Sequence, residues 1–274
     1  MKLDWITDPH LDHLKDTSQL IKFANTLNNR DSDGLIITGD IGESHNVCDL
    51  LGIMSGAYQR PIYFVLGNHD YYGDWMAVTR AKVQDTCASV PNGILNWMPL
   101  AGPIALTQDT SIVGHGGFYD GRSGLGPRTN TMMTDFGERG IFDLAEAAAY
   151  GRDSLFGALF QLGQSSADFL EQQIYAAIET QARRILILTH VPPFKEASYF
   201  RGFPSKPQFA PFYVNQSMGE MLLRVAAEYP NIMFEVYAGH THGDHHYEAT
   251  KNLTVSVGSA WYTRQPTFQI PIEI

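Results

Sequence analysis

Apolar residues along this chain follow two alternating periodicities. Short, nearly uninterrupted runs occupy residues 3–7, 35–38, 62–66, 185–189 and 232–238, each the length of one strand. Between the first three runs, and after the third, apolar positions recur at helical spacing. They are Leu20, Ile21, Ala24 and Leu27, then Val47, Leu50, Leu51 and Met54, then Met76, Val83 and Cys87. Thr17 or Ser18 is placed to cap the first of these helices, Asn28 and Asn29 to end it, and the third begins near Asp74. Uninterrupted strands separated by amphipathic helices predict a largely parallel sheet covered on both faces.

The pattern then changes. Residues 94–117 break into short runs with turn signals, which predicts antiparallel pairing. Residues 118–139, rich in Gly, Asp, Arg and Thr, predict a long surface loop, and 140–164 predict short helices. Asp168 with Glu171 reads as a capping box opening a helix through Ile174, Ala177 and Ile178; Ser217 with Glu220 reads as another before Met221, Leu222 and Val225. Residues 191–214 form a Pro- and aromatic-rich loop, and 253–257 and 268–274 alternate as edge or antiparallel strands. No repeat, low-complexity tract or linker divides the chain, so residues 1–274 read as one domain.

The chemistry sits where the five strand-like runs end. In order they deliver Asp8-Pro9-His10, Gly39-Asp40, Gly67-Asn68-His69-Asp70, His190, and Gly239-His240-Thr241-His242. Ligands of parallel sheets bind beyond the carboxyl ends of the strands, so these groups are expected to converge. On extended backbone, residues i and i+2 point the same way, which would let both members of Asp8/His10 and of His240/His242 reach one cavity. Carboxylate, amide and imidazole donors without thiolate suit Mn, Fe or Zn, and are too rich in imidazole for a dedicated Ca or Mg site. The seven donors Asp8, His10, Asp40, Asn68, His190, His240 and His242 exceed one tetrahedral shell and fit two adjacent divalent ions with open positions. Asp70 is expected to tie its own turn by backbone hydrogen bonds. His115, in a glycine-flanked turn, reads as structural, and His45, His245 and His246 as solvated; His13 belongs to the first helix or the loop before it.

Composition narrows the function further. An apolar fraction of 44% supports a sizeable core. The formal charge of −10 disfavours nucleic-acid binding, which needs basic surface. Cys48 and Cys87 lack CxxC spacing and read as free thiols of a reducing compartment. No leader-like stretch is visible, and no apolar run approaches the roughly 20 residues that cross a bilayer. The expected setting is cytoplasmic, away from membranes.

The ordered set DxH, GD, GNHD, a single His after an apolar strand, and GHTH resembles the calcineurin-like metallophosphoesterases, from Asp8 to His242. The resemblance implies an α/β (α+β sandwich) fold of two packed mixed sheets flanked by helices, a four-layer αββα architecture. It implies one ion held by Asp8, His10 and His242, the other by Asn68, His190 and His240, and Asp40 bridging both. The implied activity is hydrolysis of a small phosphomonoester or phosphodiester by in-line attack of a metal-bridging hydroxide, with His69 protonating the leaving group. Glu43, three residues after Asp40, would orient His69. Ser44 stands where a protein Ser/Thr phosphatase branch has arginine, so that branch's activity is not implied. Tyr71 and Tyr72 are expected at the mouth of the site, and Arg201 is the side chain of the 191–214 loop best suited to reach an anion. Two alternatives remain at this point: an inactive scaffold on the same fold, although such chains typically lose ligands that are all kept here, and a nuclease using the same centre.

Overall fold

The computed structural model describes residues 1–91, 93–262 and 265–274. Thirteen strands are described: β1 Lys2–Ile6, β2 Gly34–Thr38, β3 Ile62–Val65, β4 Leu95–Trp97, β5 Ile104–Ala105, β6 Thr110–Gly114, β7 Arg184–Leu188, β8 Tyr199–Phe200, β9 Phe203–Pro204, β10 Met233–Ala238, β11 His245–Thr250, β12 Leu253–Val257 and β13 Ile272–Glu273. Seven helices accompany them: α1 Thr17–Asn28, α2 Val47–Ala57, α3 Met76–Ser89, α4 Met98–Ala101, α5 Phe142–Ala149, α6 Arg152–Glu179 and α7 Gln216–Glu228. One sheet has the order β13-β1-β2-β3-β4 and a second the order β11-β12-β10-β7-β6-β5; β8 and β9 form a separate hairpin. Both large sheets are mixed, parallel in the middle and antiparallel at an edge: β13 against β1 in the first, β11 against β12 and β5 against β6 in the second.

Alternation along the central strands sorts residues between layers. In β2, Ile36 faces the other sheet while Leu35 and Ile37 face the helices; in β7, Leu186 and Leu188 face inward while Ile185 and Ile187 face α6 and α7. Leu3, Trp5, Ile36, Tyr63 and Val65 of one sheet meet Ile112, Leu186 and Leu188 of the other. The outcome is helices, sheet, sheet, helices, as the resemblance implied. Registers bring the strand ends level, with Thr38 beside Val65 and Leu188 beside both Gly114 and Tyr237. Every predicted ligand leaves a sheet at that common rim.

Five local expectations change. Residues 94–117 pair largely in parallel, β4 beside β3 and β6 beside β7, with β5 antiparallel to β6. Asp16 caps α1 in place of Thr17 or Ser18, its side chain accepting from Gln19 N at 3.0 Å. Asn215, two residues before Ser217, caps α7 by accepting from Met218 N at 2.9 Å. Asp168 opens no helix: α6 runs unbroken from Arg152 to Glu179, and the Asp168 carboxylate instead accepts from Gln164 Nε2 one turn back. Residues 118–139 are not a surface loop, because Phe118, Tyr119, Asp120, Thr129, Asp135 and Phe136 are buried in it. Cys48 and Cys87 are free, as expected. No helix among the described residues is long and apolar enough to cross a membrane.

Candidate metal centre

The backbone turns sharply where each strand ends. Seven non-glycine residues among those described have positive φ, and five of them are predicted ligands: Asp8 (45°), His10 (40°), Asp40 (52°), His240 (70°) and His242 (56°). Left-handed backbone costs such residues about 1–3 kcal/mol each and concentrates at functional sites. This corrects the reason for convergence. β1 stops at Ile6 and β10 at Ala238, so the pairs Asp8/His10 and His240/His242 lie beyond their strands, and left-handed turns, not strand alternation, bring both members inward. Cross-loop hydrogen bonds hold those turns: Asp8 N to Gly39 O at 3.1 Å, His10 N to Asp40 O at 3.0 Å, Gly239 N to His190 O at 2.9 Å, and His240 N to Asp8 Oδ1 at 3.0 Å.

Donor atoms of Asp8, His10, Asp40 and His242 all lie within 4.8 Å of one another, a group that could hold a metal ion. Within it, His242 Nε2 is 3.2 Å from Asp8 Oδ1 and His10 Nε2 is 3.9 Å from Asp40 Oδ2. His10 Nε2 is buried with no hydrogen-bond partner, an orphan that a cation beside it would satisfy. Next to this group, His190 Nε2 sits 3.3 Å from Asp40 Oδ1 and 3.1 Å from Asn68 Oδ1. His190 Nδ1 donates to Thr38 O at 2.8 Å, and His240 Nε2 donates to Phe212 O at 2.8 Å. Since a carbonyl only accepts, these bonds place a proton on His190 Nδ1 and on His240 Nε2, so His190 Nε2 and His240 Nδ1 are the nitrogens that could coordinate. Asp40 stands between the two groups, Oδ2 toward His10 and Oδ1 toward His190, and the donor chemistry present fits metal binding.

Protonation states agree with that fit. Burial lowers His10 and His240 to about 4, leaving neutral imidazoles ready to coordinate. Burial would raise Asp8, but His242 beside it brings the carboxyl down to about 2. Asp40 is likewise held well below its ordinary value, His190 and His69 outweighing its burial. Burial would lower His190, but Asp40 and Asp8 raise it to about 10, so it must give up a proton before Nε2 can coordinate. Asp70 keeps the role expected of it, accepting from Ile41 N and Gly42 N at 2.9 Å and from Gly67 N at 2.8 Å.

A cavity of about 210 Å³ opens over the centre, and Asp40, Asn68, His69, Tyr72, His240 and His242 line it. His69 stacks on Tyr72 at 4.3 Å and sits edge-on to His10 at 4.9 Å, its backbone N donating to Asp40 Oδ1 at 3.0 Å. Glu43 is not brought to His69; its carboxylate lies 3.5 Å from His45 on the surface. Tyr71 turns the other way from Tyr72, its hydroxyl accepting from Arg80 Nε at 3.3 Å in a separate pocket. Arg201 is exposed at the β8–β9 tip with its guanidinium over Phe200, and it is Phe200 that lines the cavity.

Sequence reading missed four contributors. Asp135, from the stretch expected at the surface, accepts from Asn68 Nδ2 at 2.8 Å and from the Tyr72 hydroxyl at 3.1 Å. Tyr213 packs edge-on to His240 at 5.4 Å. Tyr262 lies 4.5 Å from His10 and 4.6 Å from His242, and Met133 completes the wall. No motif marks any of them, since each arrives from a distant loop.

Comparison with known families decides the assignment: the calcineurin-like phosphoesterase model matches residues 1–244. The chain belongs to the calcineurin-like phosphoesterase family. Among solved structures, this phosphoesterase is similar to a dimetal phosphatase from Danio rerio, with a TM-score of 0.59 and 13% identity over 98% of this chain and 91% of that one. It is also similar to the phosphopantetheinyl hydrolase PptH from Mycobacterium tuberculosis, with a TM-score of 0.58 and 16% identity over 96% of this chain and 90% of that one. At such identity the likeness speaks for the fold. Comparison with curated proteins gives no match. The family is one of metal-dependent hydrolases, and the Asp/His cluster of this member could hold metal.

Proposed function

We propose that this phosphoesterase is a dinuclear metal-dependent hydrolase of small phosphomonoesters or phosphodiesters. Asp8, His10 and His242 would hold one divalent ion, Asn68, His190 and His240 the other, with Asp40 between them. The observation that carries this reading is the four-donor group around the unpartnered His10 nitrogen, with His190 Nδ1 and His240 Nε2 each donating to a carbonyl so that the opposite ring nitrogens would serve the second ion. When bound, Mn, Fe or Zn ions would activate water and offset charge on the phosphoryl oxygens.

The chain's own groups do the rest. His69, at the cavity wall and braced by Tyr72, carries the proton delivered to the leaving-group oxygen. Its position rests on stacking and on the backbone bond to Asp40, the part expected of Glu43. Asp135 turns the Asn68 amide so that Oδ1 faces the centre. Tyr72, Tyr213, Tyr262, Phe200 and Met133 form apolar walls that limit water beside the reacting phosphoryl group. A cavity of about 210 Å³ favours a small substrate.

The test is turnover of p-nitrophenyl phosphate and bis(p-nitrophenyl) phosphate by protein loaded with Mn, Fe or Zn, with metal content measured on the same samples. Turnover with close to two ions per chain is expected. Full occupancy without hydrolysis of either ester would sink the hydrolase reading, and near-zero occupancy would favour a scaffold.

A further inference from the structure

A second cavity of about 210 Å³ lies beside the metal centre and shares none of its lining. Leu66, Trp97, Pro99 and Phe169 give it an apolar wall, and Tyr71, Arg80 and His115 supply its polar side chains. Those polar groups are biased toward donation. Arg80 spends only Nε, on the Tyr71 hydroxyl at 3.3 Å, which leaves that hydroxyl its own proton to give. Among the described residues, no carboxylate lies within 4 Å of the Arg80 guanidinium; Asp143, the acidic group acting on it, instead accepts from Met76 N. His115 Nδ1 accepts from Gly117 N at 3.0 Å, so the imidazole proton resides on Nε2. Burial and the neighbouring Arg80 lower His115 to about 3, keeping it neutral.

A guanidinium that makes no ion pair within 4 Å and an imidazole N–H, on one cavity with no Asp or Glu in its lining, describe a place for an anion. The apolar half of the wall selects which anion. Inorganic phosphate would leave Phe169, Pro99 and the Trp97 ring facing its oxygens, whereas a planar carboxylate sets a ring against them and its two oxygens against Arg80. We propose that this cavity is a binding site for a small carboxylate carrying an aromatic or compact apolar body.

Its location gives occupancy a route to the metal centre. Gly116, in the wall, accepts from His190 N at 2.7 Å and from Val191 N at 3.3 Å. Leu66, beside Gly116 in the same wall, directly precedes Gly67 and Asn68, and Tyr71 follows the His69-Asp70 turn. A ligand in the cavity therefore bears on segments that carry predicted ligands of both sheets, while remaining separate from the dimetal reading.

The experiment is calorimetric titration of the intact protein with benzoate, in its chelator-treated and Mn-loaded forms. Benzamide serves as the uncharged isostere and inorganic phosphate as the anion without a ring. Saturable benzoate binding is expected in both forms, with benzamide and phosphate weaker by roughly tenfold or more. Arg80→Met and His115→Phe, each verified as folded by circular dichroism, should each weaken benzoate, Arg80→Met by roughly tenfold and Arg80→Lys by less. Absence of benzoate binding, or binding that requires Mn and ignores both substitutions, would overturn the proposal, the latter by moving the site to the metals. Phosphate binding more tightly than benzoate would overturn the ligand class.

Discussion

The Asn68 side-chain amide donates to Asp135 Oδ1 at 2.8 Å, across 67 residues of sequence. That bond fixes the amide orientation: with Nδ2 committed to a carboxylate, Oδ1 is left facing His190 and Asp40. The same carboxylate accepts from the Tyr72 hydroxyl, so one buried Asp orients a predicted ligand and the ring on which His69 stacks. Asp135→Ala is expected to lower metal affinity or activity by about 10–100-fold, with Asp135→Asn intermediate because it keeps one acceptor. Equilibrium dialysis against Mn alongside turnover checks this; unchanged affinity and rate would show that Asn68 orients itself.

His69→Asn should lower kcat by about 10²–10⁴ while leaving metal content unaltered. The loss should be larger for phenyl phosphate than for p-nitrophenyl phosphate, because a poor leaving group needs the proton more. Equal losses on both esters would remove His69 from the general-acid role.

Gly67 is required for space, not for conformation. A Cβ there would collide with Asp40 Oδ1 and come within 2.7 Å of His190 Cε1. Gly67→Ala is therefore expected to displace Asp40, the proposed shared ligand, and cut metal binding by at least about tenfold, while the far-ultraviolet spectrum stays the same. Retained stoichiometric binding would argue against Asp40 as the shared ligand.

Arg184 clamps Glu235 through Nε and Nη2, both at 2.8 Å, and the Tyr237 hydroxyl adds a bond at 2.8 Å. Burial would raise Glu235, but these partners hold it below its ordinary value. A depressed folded-state pKa gives stability that is present above the unfolded value near 4.5 and fades as pH falls through the folded one. Glu235→Gln should thus cost about 1–2 kcal/mol at pH 7, the pair being partly exposed. The gap between variant and parent should narrow as pH falls from 7 to well below the unfolded value near 4.5. Urea titrations at both pH values decide it, and a gap that widens in acid would contradict the sign.

The strands and their chemistry were legible because both are local. A buried parallel strand must be an apolar run, and the groups emerging from it must be the next residues along, so Asp8, Asp40, Asn68, His190 and His240 could be read directly. Residues that reach the centre from afar left no such mark. Asp135 and Tyr262 matter through contacts 67 and more than two hundred residues away, with Asn68 and with His10. Adjacent tyrosines after His69 could not be told apart, yet Tyr72 enters the cavity and Tyr71 turns to Arg80. α6 was misread as separate pieces for a different reason. Gly157 and Gly163 weaken its helical pattern, and Gly163 is there because Asp120 leaves no room for a Cβ. Packing against a distant segment overrode a local stop signal.

His190 Nδ1 reaches across from the end of β7 to Thr38 O at the end of β2, tying the two sheets together through a buried hydrogen bond. Asp8, His10, Asp40 and Asn68 leave one sheet, and His190, His240 and His242 leave the other, so neither half of the sandwich owns a complete set. Ion uptake during refolding would therefore be a late event, a chemical clock that starts only once the two halves have docked.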